Sequence, residues 1–214
     1  MTYSIIGSGA IGSALAKQFA KAEIEVLVAN TRGSDSITPL ADKLGPAIVP
    51  SELTEALSAD VVILAIPFTA VENVLVQGKD WQGKVIIDAT NAIDFPAFTP
   101  TDLGGKPSSA AVAEFIPAAS VVKGFNHLAA NILARDANDG RKNNARTQFI
   151  SGSDDEAKAT VKKLMEKMGF AVVDLGTLGG GGLLQQFGEP LSSVSLVSQA
   201  IDFNAANGPD LAEH

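Results

Sequence analysis

The sequence predicts an α/β fold in which a doubly wound, mostly parallel sheet is followed by a small C-terminal α/β extension. Short runs of continuous apolar residues, such as Val61–Ile66, alternate along the chain with segments of helical periodicity. Such runs are typical of parallel strands that helices cover on both faces. The chain has 214 residues, 46% of them hydrophobic and 19% charged, so it can bury a full core.

The composition narrows the classes of function. The formal net charge of −8 argues against general binding to the phosphate backbone of nucleic acid. No apolar run reaches about 18 residues, so we expect no membrane span. The first predicted strand begins almost at Met1, so we expect no secretory leader and, by default, a cytoplasmic location. The absence of cysteine excludes disulfides, thiolate metal ligands and thiol catalysis, and we predict no metal site.

The N-terminal segment predicts the central element, a strand that passes through a glycine turn into a helix. Ile5 and Ile6 give way to Gly-x-Gly-x-x-Gly, after which apolar residues recur at helical spacing. The first glycine permits a sharp turn, the second leaves room for a pyrophosphate, and the third lets the helix lie close on the strand. The free N–H groups of the helix then face the phosphates. This Rossmann-type pattern predicts dinucleotide contacts at Gly7, Ser8, Gly9, Ala10, Ile11 and Gly12.

The end of the second predicted strand, Glu25–Ala29, indicates which dinucleotide binds. An NAD enzyme places an Asp or Glu about 20 residues beyond the glycines, where it accepts hydrogen bonds from the adenine ribose. This chain has no carboxylate there, and Arg32 can pair with a 2′-phosphate, which favours NADP. The alternative is that Arg32 is a solvated loop cation. The predicted contacts on this side are Asn30, Thr31, Arg32 and Ser34.

The alternation continues through the first half of the chain. In order, the pattern predicts helix Ser36–Leu44, strand Ala47–Val49, helix Ser51–Ala59, strand Val61–Ile66, helix Ala70–Val76 and strand Lys84–Asp88. Ligands of such sheets lie beyond the carboxyl ends of the strands, so the residues that follow the fourth and fifth strands should complete the cleft. The predicted cofactor contacts there are Ile66, Pro67, Phe68, Thr90 and Asn91.

Two of these contacts have alternative roles. Phe68 either walls the nicotinamide ribose or packs in the core. Thr90 and Asn91 either hydrogen-bond the ribose and carboxamide or cap the turn, and their place at a strand end favours cofactor contact.

The second half of the chain is less regular. We expect a loop over the cleft mouth at Phe95–Gly105 and an exposed, mobile flap at Arg135–Asn144. The four glycines Gly179–Gly182 predict a hinge or a close approach, because no Lys-Ser or Lys-Thr follows them. The remaining predicted elements are helix Ser108–Phe115, strand Ser120–His127, helix Leu128–Leu133, strand Arg146–Gly152, helix Asp154–Met168 and strand Phe170–Asp174.

The last predicted element is a helix over Leu183–Asn204 that is apolar around much of its circumference. It is either a partner surface, with a two-fold homodimer as the default, or a buried central helix. We divide the chain into a dinucleotide-binding Rossmann domain, residues 1–118, and a small acceptor-side and dimerisation region, residues 119–214, packed as one unit with it.

Five short motifs, taken in order, resemble the NADPH-dependent deazaflavin-coenzyme (F-420) reductase family. They are Gly7–Gly12, Asn30–Arg32, Ala65–Phe68, Asp88–Asn91 and Val122–Asn126. The chain is also similar to the cytoplasmic reductase domain of the membrane metalloreductases, which belongs to the same wider group. The resemblance implies NADPH-dependent hydride transfer to a flavin-like ring that stacks against the nicotinamide, with Ser8, Thr31 and Arg32 at the 2′-phosphate.

The resemblance also implies that Asn126 and His127 line the acceptor side, which makes them the candidate catalytic residues. Hydride transfer between stacked rings needs positioning and exclusion of water rather than a general acid. His127 therefore either donates a hydrogen bond to the acceptor or makes a structural bond, and Lys123 either pairs with an acidic neighbour or touches a ligand. Family members also occur in organisms that lack the deazaflavin, so the acceptor is the coenzyme F-420, FMN, FAD or flavin-mediated ferric iron.

Two further interpretations stay open. An NADPH-binding sensor without turnover would need the same cleft but no acceptor site. An NADP-dependent dehydrogenase or imine reductase begins with the same glycine pattern, but such enzymes add a large helical domain, and only residues 180–214 remain here after Gly179.

Overall fold

The computed structural model describes residues 1–137 and 144–199, and in these residues the predicted α/β fold with a mostly parallel sheet is confirmed. The strands are β1 (Tyr3–Ile6), β2 (Val26–Ala29), β3 (Ile48–Pro50), β4 (Val61–Leu64), β5 (Val85–Asp88), β6 (Ile93–Asp94), β7 (Thr99–Pro100), β8 (Ser120–Lys123), β9 (Asn144–Gly152), β10 (Ala171–Asp174) and β11 (Val197–Gln199). The α-helices are α1 (Ala10–Lys21), α2 (Thr38–Leu44), α3 (Leu53–Ala56), α4 (Val71–Leu75), α5 (Ser108–Phe115), α6 (Ala130–Leu133), α7 (Asp155–Lys167) and α8 (Gly181–Leu184).

Within the described residues, nine strands form one sheet in the order β10-β9-β8-β5-β4-β1-β2-β3, with β11 paired to β9. The pairs from β3 across to β8 are all parallel, whereas β9 runs antiparallel to β8 and to β11. From β1 the chain first builds outward through β2 and β3, and then crosses to β4 on the other side. This reversal of strand order opens a crevice at the carboxyl ends of β1 and β4, where ligands of doubly wound sheets bind.

The register keeps the carboxyl ends of five parallel strands level. Ile6 of β1 is paired with Ala29 of β2 and with Leu64 of β4, Leu64 is paired with Asp88 of β5, and Asp88 is paired with Lys123 of β8. The loops after these strands therefore leave the sheet at one edge, which brings residues from distant parts of the sequence to one site.

Helices cover both faces of the sheet, which explains the continuous apolar runs. Neighbouring residues of one strand belong to different core clusters. Ile63 of β4 packs in a cluster with Ile5 of β1 and with Leu15 and Phe19 of α1. Leu64 packs on the other face, in a cluster that includes Leu57, Val74 and Val112. All four residues of β4 are buried. A strand buried on both sides cannot carry polar alternation, and this one does not.

The prediction of one long helix over Leu183–Asn204 is wrong in the described residues. The helix α8 ends at Leu184, turns follow, and the strand β11 lies at Val197–Gln199, while residues 200–204 lie outside the described part. Gly188 and Ser193 have φ angles of 88° and 63°, in the left-handed region that interrupts a helix. This helix therefore no longer supports the expected homodimer, which stays a prediction.

Two other expectations need adjustment. The loop expected over Phe95–Gly105 begins with the antiparallel hairpin of β6 and β7. The strand expected to reach His127 ends at Lys123, because Phe125 has a φ of 59° and turns the chain. Most of the predicted flap, residues 138–143, lies outside the described residues. The proposed boundary at residues 118 and 119 falls in the connection between α5 and β8, and strands from both sides of it belong to one sheet. The division into two regions stays a prediction.

None of the helices in the described ranges is both long and apolar enough to cross a lipid bilayer.

The first testable prediction concerns Gly12, where an added Cβ would lie 1.9 Å from the carbonyl oxygen of Gly7. Because that neighbour is backbone in a buried turn, we expect Gly12→Ala to lower the free energy of unfolding by about 1–3 kcal/mol, measured by urea denaturation. Gly9→Ala is the matched control, since nothing lies within 4 Å of a Cβ at that position. Equal stability of the two variants would contradict the close approach of α1 to β1.

Candidate functional site

The glycine turn has the geometry that dinucleotide binding requires. A Cβ at Gly7 would lie 2.3 Å from the carbonyl oxygen of Ala65, and Gly7 has a φ of 111°. Gly12 lets α1 approach the turn, whereas the position of Gly9 faces open space. Gly9 is also the N-cap of α1 and supplies no capping side chain. The first amides of a twelve-residue helix are thus directed at an open cleft, an arrangement that suits phosphate.

A cleft of about 470 Å³ lies in front of this helix end, at the carboxyl edge of the sheet. Eight of the residues predicted from sequence line it, and Ala65, Thr69, Ala89, Ile93 and Phe95 line it as well. The predicted lining residues are Gly9, Ala10, Ile11, Ile66, Pro67, Phe68, Thr90 and Asn91. Phe68 lines the cleft and also packs against the core cluster on one sheet face, so it takes part in both of its alternative roles.

The loop after β2, which the sequence predicts on the adenine side, is organised by Asn30. Its amide nitrogen donates to Ser8 Oγ at 2.8 Å, and its carboxamide oxygen accepts from the backbone N–H of Arg32 at 2.7 Å. The Arg32 guanidinium lies 3.4 Å from Ser8 Oγ, and both Arg32 and Thr31 are exposed. Asn30 therefore shapes the loop, while Arg32 and Thr31 keep side chains that are free to meet a ligand.

Ser34 has a partner that the sequence does not suggest. Its backbone N–H donates to Glu52 Oε1 at 3.1 Å. Hydrogen bonding by Ser34, first from its side chain and then from its backbone, lowers the pKa of Glu52, so this exposed carboxyl is ionised at neutral pH. A negative charge next to Ser34 disfavours phosphate there, whereas the predicted 2′-phosphate contacts of Arg32, Thr31 and Ser8 stay predictions.

The opposite wall of the cleft rests on a buried ion pair between β5 and β8. Lys123 Nζ lies 3.5 Å from Asp88 Oδ2, and both side chains are at most 1% exposed. Asp88 Oδ1 accepts from the backbone N–H of Thr90 at 3.0 Å and from its hydroxyl at 2.6 Å, and Oδ2 accepts from Ser109. Lys123 also donates to Ser108 Oγ at 3.1 Å. Of the two roles that the sequence allows for Lys123, the structure therefore shows the acidic partner.

Asn126 lies behind Asn91 rather than on the cleft surface. Asn91 Nδ2 donates to the carbonyl oxygen of Asn126 at 2.9 Å, and Asn126 Nδ2 donates back to Asn91 Oδ1 at 3.1 Å. A second donation at 2.7 Å reaches the carbonyl oxygen of Gln185. Asn126 is 5% exposed, so in this structure it holds Asn91 in place.

His127 lies in the interior, 2% exposed, with its ring centre 4.8 Å from that of Phe149. Within the described residues neither ring nitrogen has a partner in hydrogen-bond geometry. Burial lowers the pKa of His127 to about 4, and the Thr147 backbone opposes this shift. The imidazole is thus neutral near pH 7. It is not among the residues that line the cleft, and its catalytic role stays a prediction.

The glycine run Gly179–Gly182 includes close approaches, one of the two roles expected for it. A Cβ at Gly181 would lie 1.9 Å from the carbonyl oxygen of Leu175, and one at Gly182 would lie 2.7 Å from Ser151 Oγ. This contact brings Gln185 into the interior, where its amide donates to Ser151 Oγ at 2.8 Å. The run therefore fixes the segment that backs Asn126.

A larger depression of about 880 Å³ lies between the C-terminal ends of α1 and α7. Its cations include Lys17, Arg146 and Lys167, while Lys21 is paired with Asp136. Helix C-termini present carbonyl oxygens and the negative end of the helix dipole, which attract cations and repel phosphate. The smaller cleft at the N-terminus of α1 is the better dinucleotide site. No cluster of three potential metal ligands among His, Cys, Asp and Glu occurs in the part of the chain that the structure describes.

Comparison with known proteins matches residues 2–92 to a family model described as NADP oxidoreductase coenzyme F420-dependent. The solved structure of the hypothetical protein SMa0349 from Sinorhizobium meliloti is 47% identical in sequence. It superposes with a TM-score of 0.90 over 93% of this chain and 96% of that chain.

Two other proteins are more distant. A protein from Arthrobacter sp. FB24, described as an F420-dependent NADP-reductase candidate, is 24% identical with a TM-score of 0.67 over 83% of this chain and 86% of that chain, a likeness of fold. The metalloreductase STEAP3 of Rattus norvegicus is 28% identical over 178 residues, which are 81% of this chain and 33% of the rat protein. The chain thus spans about a third of the length of that relative.

A second testable prediction follows from the buried ion pair. Lys123→Met leaves the Asp88 carboxylate buried without its cation, so we expect the free energy of unfolding to fall by about 3–5 kcal/mol in urea denaturation. The double variant Lys123→Met and Asp88→Asn no longer buries an unpaired carboxylate, so it should recover much of the lost free energy of unfolding. The control is Lys106→Met, because Lys106 and Glu114 form an exposed pair at 2.7 Å that should contribute less than about 1 kcal/mol. Similar losses for both lysines would contradict the buried pair.

A third prediction concerns pH. His127 binds a proton in the unfolded chain near pH 6.5 but in the folded protein only near pH 4. Between these values the unfolded state holds more protons, so the free energy of unfolding should decrease by about 3 kcal/mol as the pH falls. The His127→Gln variant cannot take up this proton. The difference in free energy of unfolding between the wild type and the variant should therefore change with pH only between about pH 4 and pH 6.5. Parallel curves for the two proteins would show that His127 is accessible to solvent.

Proposed function

We propose that this chain, whose residues 2–92 match the family model of coenzyme F420-dependent NADP oxidoreductases, transfers hydride between NADP(H) and a flavin-like acceptor. One observation carries the proposal. The uncapped N-terminus of α1 and an apolar wall beyond β4 face one cleft at the point where strand order reverses, and the exposed Arg32 lies beside the glycine turn, 3.4 Å from Ser8 Oγ.

The adenine half of the cleft supports NADP as the dinucleotide. The pyrophosphate would lie over Gly9, where no side chain intrudes, against the amides of Ala10 and Ile11. Arg32 is the cation within reach of the 2′-phosphate, and its guanidinium already approaches Ser8. Two charge-assisted hydrogen bonds from Arg32 would discriminate against the unphosphorylated dinucleotide.

The nicotinamide half supports hydride transfer as the reaction class. Ile66, Pro67 and Ala89 give this part of the cleft an apolar wall. Thr90 and Asn91 are held by partners behind them, so their positions do not depend on the ligand. Hydride transfer between two rings needs such fixed positions at close range. In this scheme NADPH gives up a hydride and becomes NADP⁺, and the acceptor ring gains the hydride with a proton from solvent.

The residues behind this wall have supporting roles in the proposed scheme. Asn126 is a positioning residue that orients the Asn91 carboxamide. His127, neutral and packed on Phe149, supports the structural alternative over donation to the acceptor. The reaction as proposed needs no general acid, so this placement of His127 is compatible with it.

The proposed function is tested by binding followed by turnover. Calorimetric titration should give tight binding of NADPH and weaker binding of NADH. Deazaflavin coenzyme F-420, FMN, FAD and ferric chelates are then added in turn while the near-ultraviolet absorbance of NADPH is followed. Oxidation by one acceptor class supports the proposal and identifies the substrate. Tight NADPH binding without oxidation by any of them would favour a sensor.

A fourth prediction tests the choice of dinucleotide. Arg32→Ala should weaken NADPH binding by about 10- to 100-fold and leave NADH binding nearly unchanged. Glu52→Gln should strengthen NADPH binding, because it removes a negative charge beside Ser34. Lys79→Ala, which removes an exposed cation outside the cleft, is the control for net charge. If Arg32→Ala weakens both dinucleotides equally, Arg32 does not read the 2′-phosphate.

A further inference from the structure

A row of aromatic side chains, Phe95, Phe98 and Phe187, lies beside the proposed cofactor cleft; we call it the aromatic shelf. The ring centres of Phe95 and Phe98 are 5.8 Å apart and those of Phe98 and Phe187 are 5.2 Å apart, both in edge-to-face geometry. Phe95 is 72% and Phe98 is 59% exposed. Two adjacent phenylalanines with this exposure form an apolar patch that a folded domain seldom leaves to water without a ligand.

The shelf is continuous with the cleft. Phe95 belongs to both, since it lines the cleft together with Asn91 and Ile93. The rest of the shelf lies outside the cleft lining, since Phe98 packs on Phe95 and Phe187 packs on Phe98. The shelf therefore extends the apolar lining of the cleft from Phe95 to two further rings.

The backbone holds the shelf in place at some cost. Phe98 has a φ of 55°, a left-handed conformation that is unfavourable for a bulky residue. The hairpin of β6 and β7 enforces it, because the Phe98 N–H donates to the Asp94 carbonyl oxygen at 2.8 Å and Thr101 Oγ1 donates to Asp94 Oδ1 at 2.8 Å. A glycine would adopt this φ without strain. Retaining an exposed phenyl ring there indicates a role for the ring.

A second segment supports the hairpin from behind. Gly188 lies against Pro100 of β7, where an added Cβ would be 2.7 Å from Pro100 Cγ. Gln186 Oε1 accepts from the backbone N–H of Ser108 at 2.9 Å and ties the same segment to α5. Phe187 lies between these two contacts. The three rings are thus presented by two anchored segments rather than by a free loop.

We infer that the aromatic shelf binds the acceptor, and that the acceptor is a planar heteroaromatic ring of the flavin type rather than a bare ferric chelate. This inference rests on the proposed function and adds the residues that receive the second substrate. Phenyl faces and edges stack on an extended planar ring, and a nearby apolar wall at Ile66 and Pro67 excludes water from the pair of rings. A hydrated iron chelate gains nothing from such a surface.

The test uses the full chain and riboflavin, a flavin without phosphate, so that only the ring is probed. Quenching of riboflavin fluorescence is titrated with and without saturating NADP⁺, which binds but cannot reduce the flavin. The combined Phe95→Leu and Phe98→Leu variant should weaken riboflavin binding by about tenfold or more. Phe95→Tyr and Phe98→Tyr keep the rings and should bind as the wild type does. Phe115→Leu, at a phenylalanine 42% exposed and outside the cleft, is the matched control.

The outcomes separate this inference from the proposed function. Unchanged riboflavin binding in the Leu variant, or no riboflavin binding by the wild type, overturns the shelf as acceptor site even if NADPH binds. A change in sedimentation of the Leu variant with riboflavin binding intact would show that the shelf contacts a second copy, and also overturns it. Failure of the wild type to bind NADPH defeats the proposed function. The riboflavin titration without nucleotide would still show whether the aromatic shelf binds the flavin ring.

Discussion

The absence of side chains at Gly7 and Gly12 is the constraint on which the site depends. A Cβ at either position would collide with backbone, at Ala65 and at Gly7 respectively. Because both neighbours are backbone, no change of rotamer relieves the clash, and α1 can meet the sheet only with glycine there. This contact sets where α1 begins, and therefore which amides face the cleft.

The far wall of the crevice depends on a different interaction, the buried pair of Asp88 and Lys123. A buried ion pair is a weak source of stability, since desolvation offsets much of the Coulombic attraction. Its effect here is geometric. Asp88 accepts both hydrogen bonds that Thr90 donates, and Lys123 ties the start of α5 to the same point. The turn after β5 is thereby held in one conformation, and Thr90 and Asn91 face the cleft before any ligand binds. Such preorganisation is what positional catalysis requires.

The sequence predicted the parts of the site that depend on local patterns. The glycine spacing, the buried strands and the polar residues at strand ends are set by steric and periodic rules that act over a few residues, and eight of the contacts predicted from them line the cleft. Long-range pairing produced the rest. Glu52 reaches Ser34 only because β3 lies beside β2. The side chain of His127 turns into the interior after the positive φ of Phe125, which periodicity does not reveal. The last helix was overpredicted because apolar composition outweighed the turn signal at Gly188.

The two halves of the site differ in how tightly the fold specifies them, and the family relationship follows the same division. The family model matches residues 2–92, which include the glycine turn, Arg32 and the buried turn at Thr90. It ends one residue before Ile93, where the hairpin that carries the exposed phenylalanines begins. The glycine turn leaves no room for a side chain at Gly7 or Gly12, and internal hydrogen bonds fix the buried turn at Thr90, so changes there are costly. The hairpin is exposed, and its side chains can change at little cost to folding. The family match therefore bears on the dinucleotide much more strongly than on the acceptor, and the identity of the acceptor has to be sought in the residues that follow Ala92.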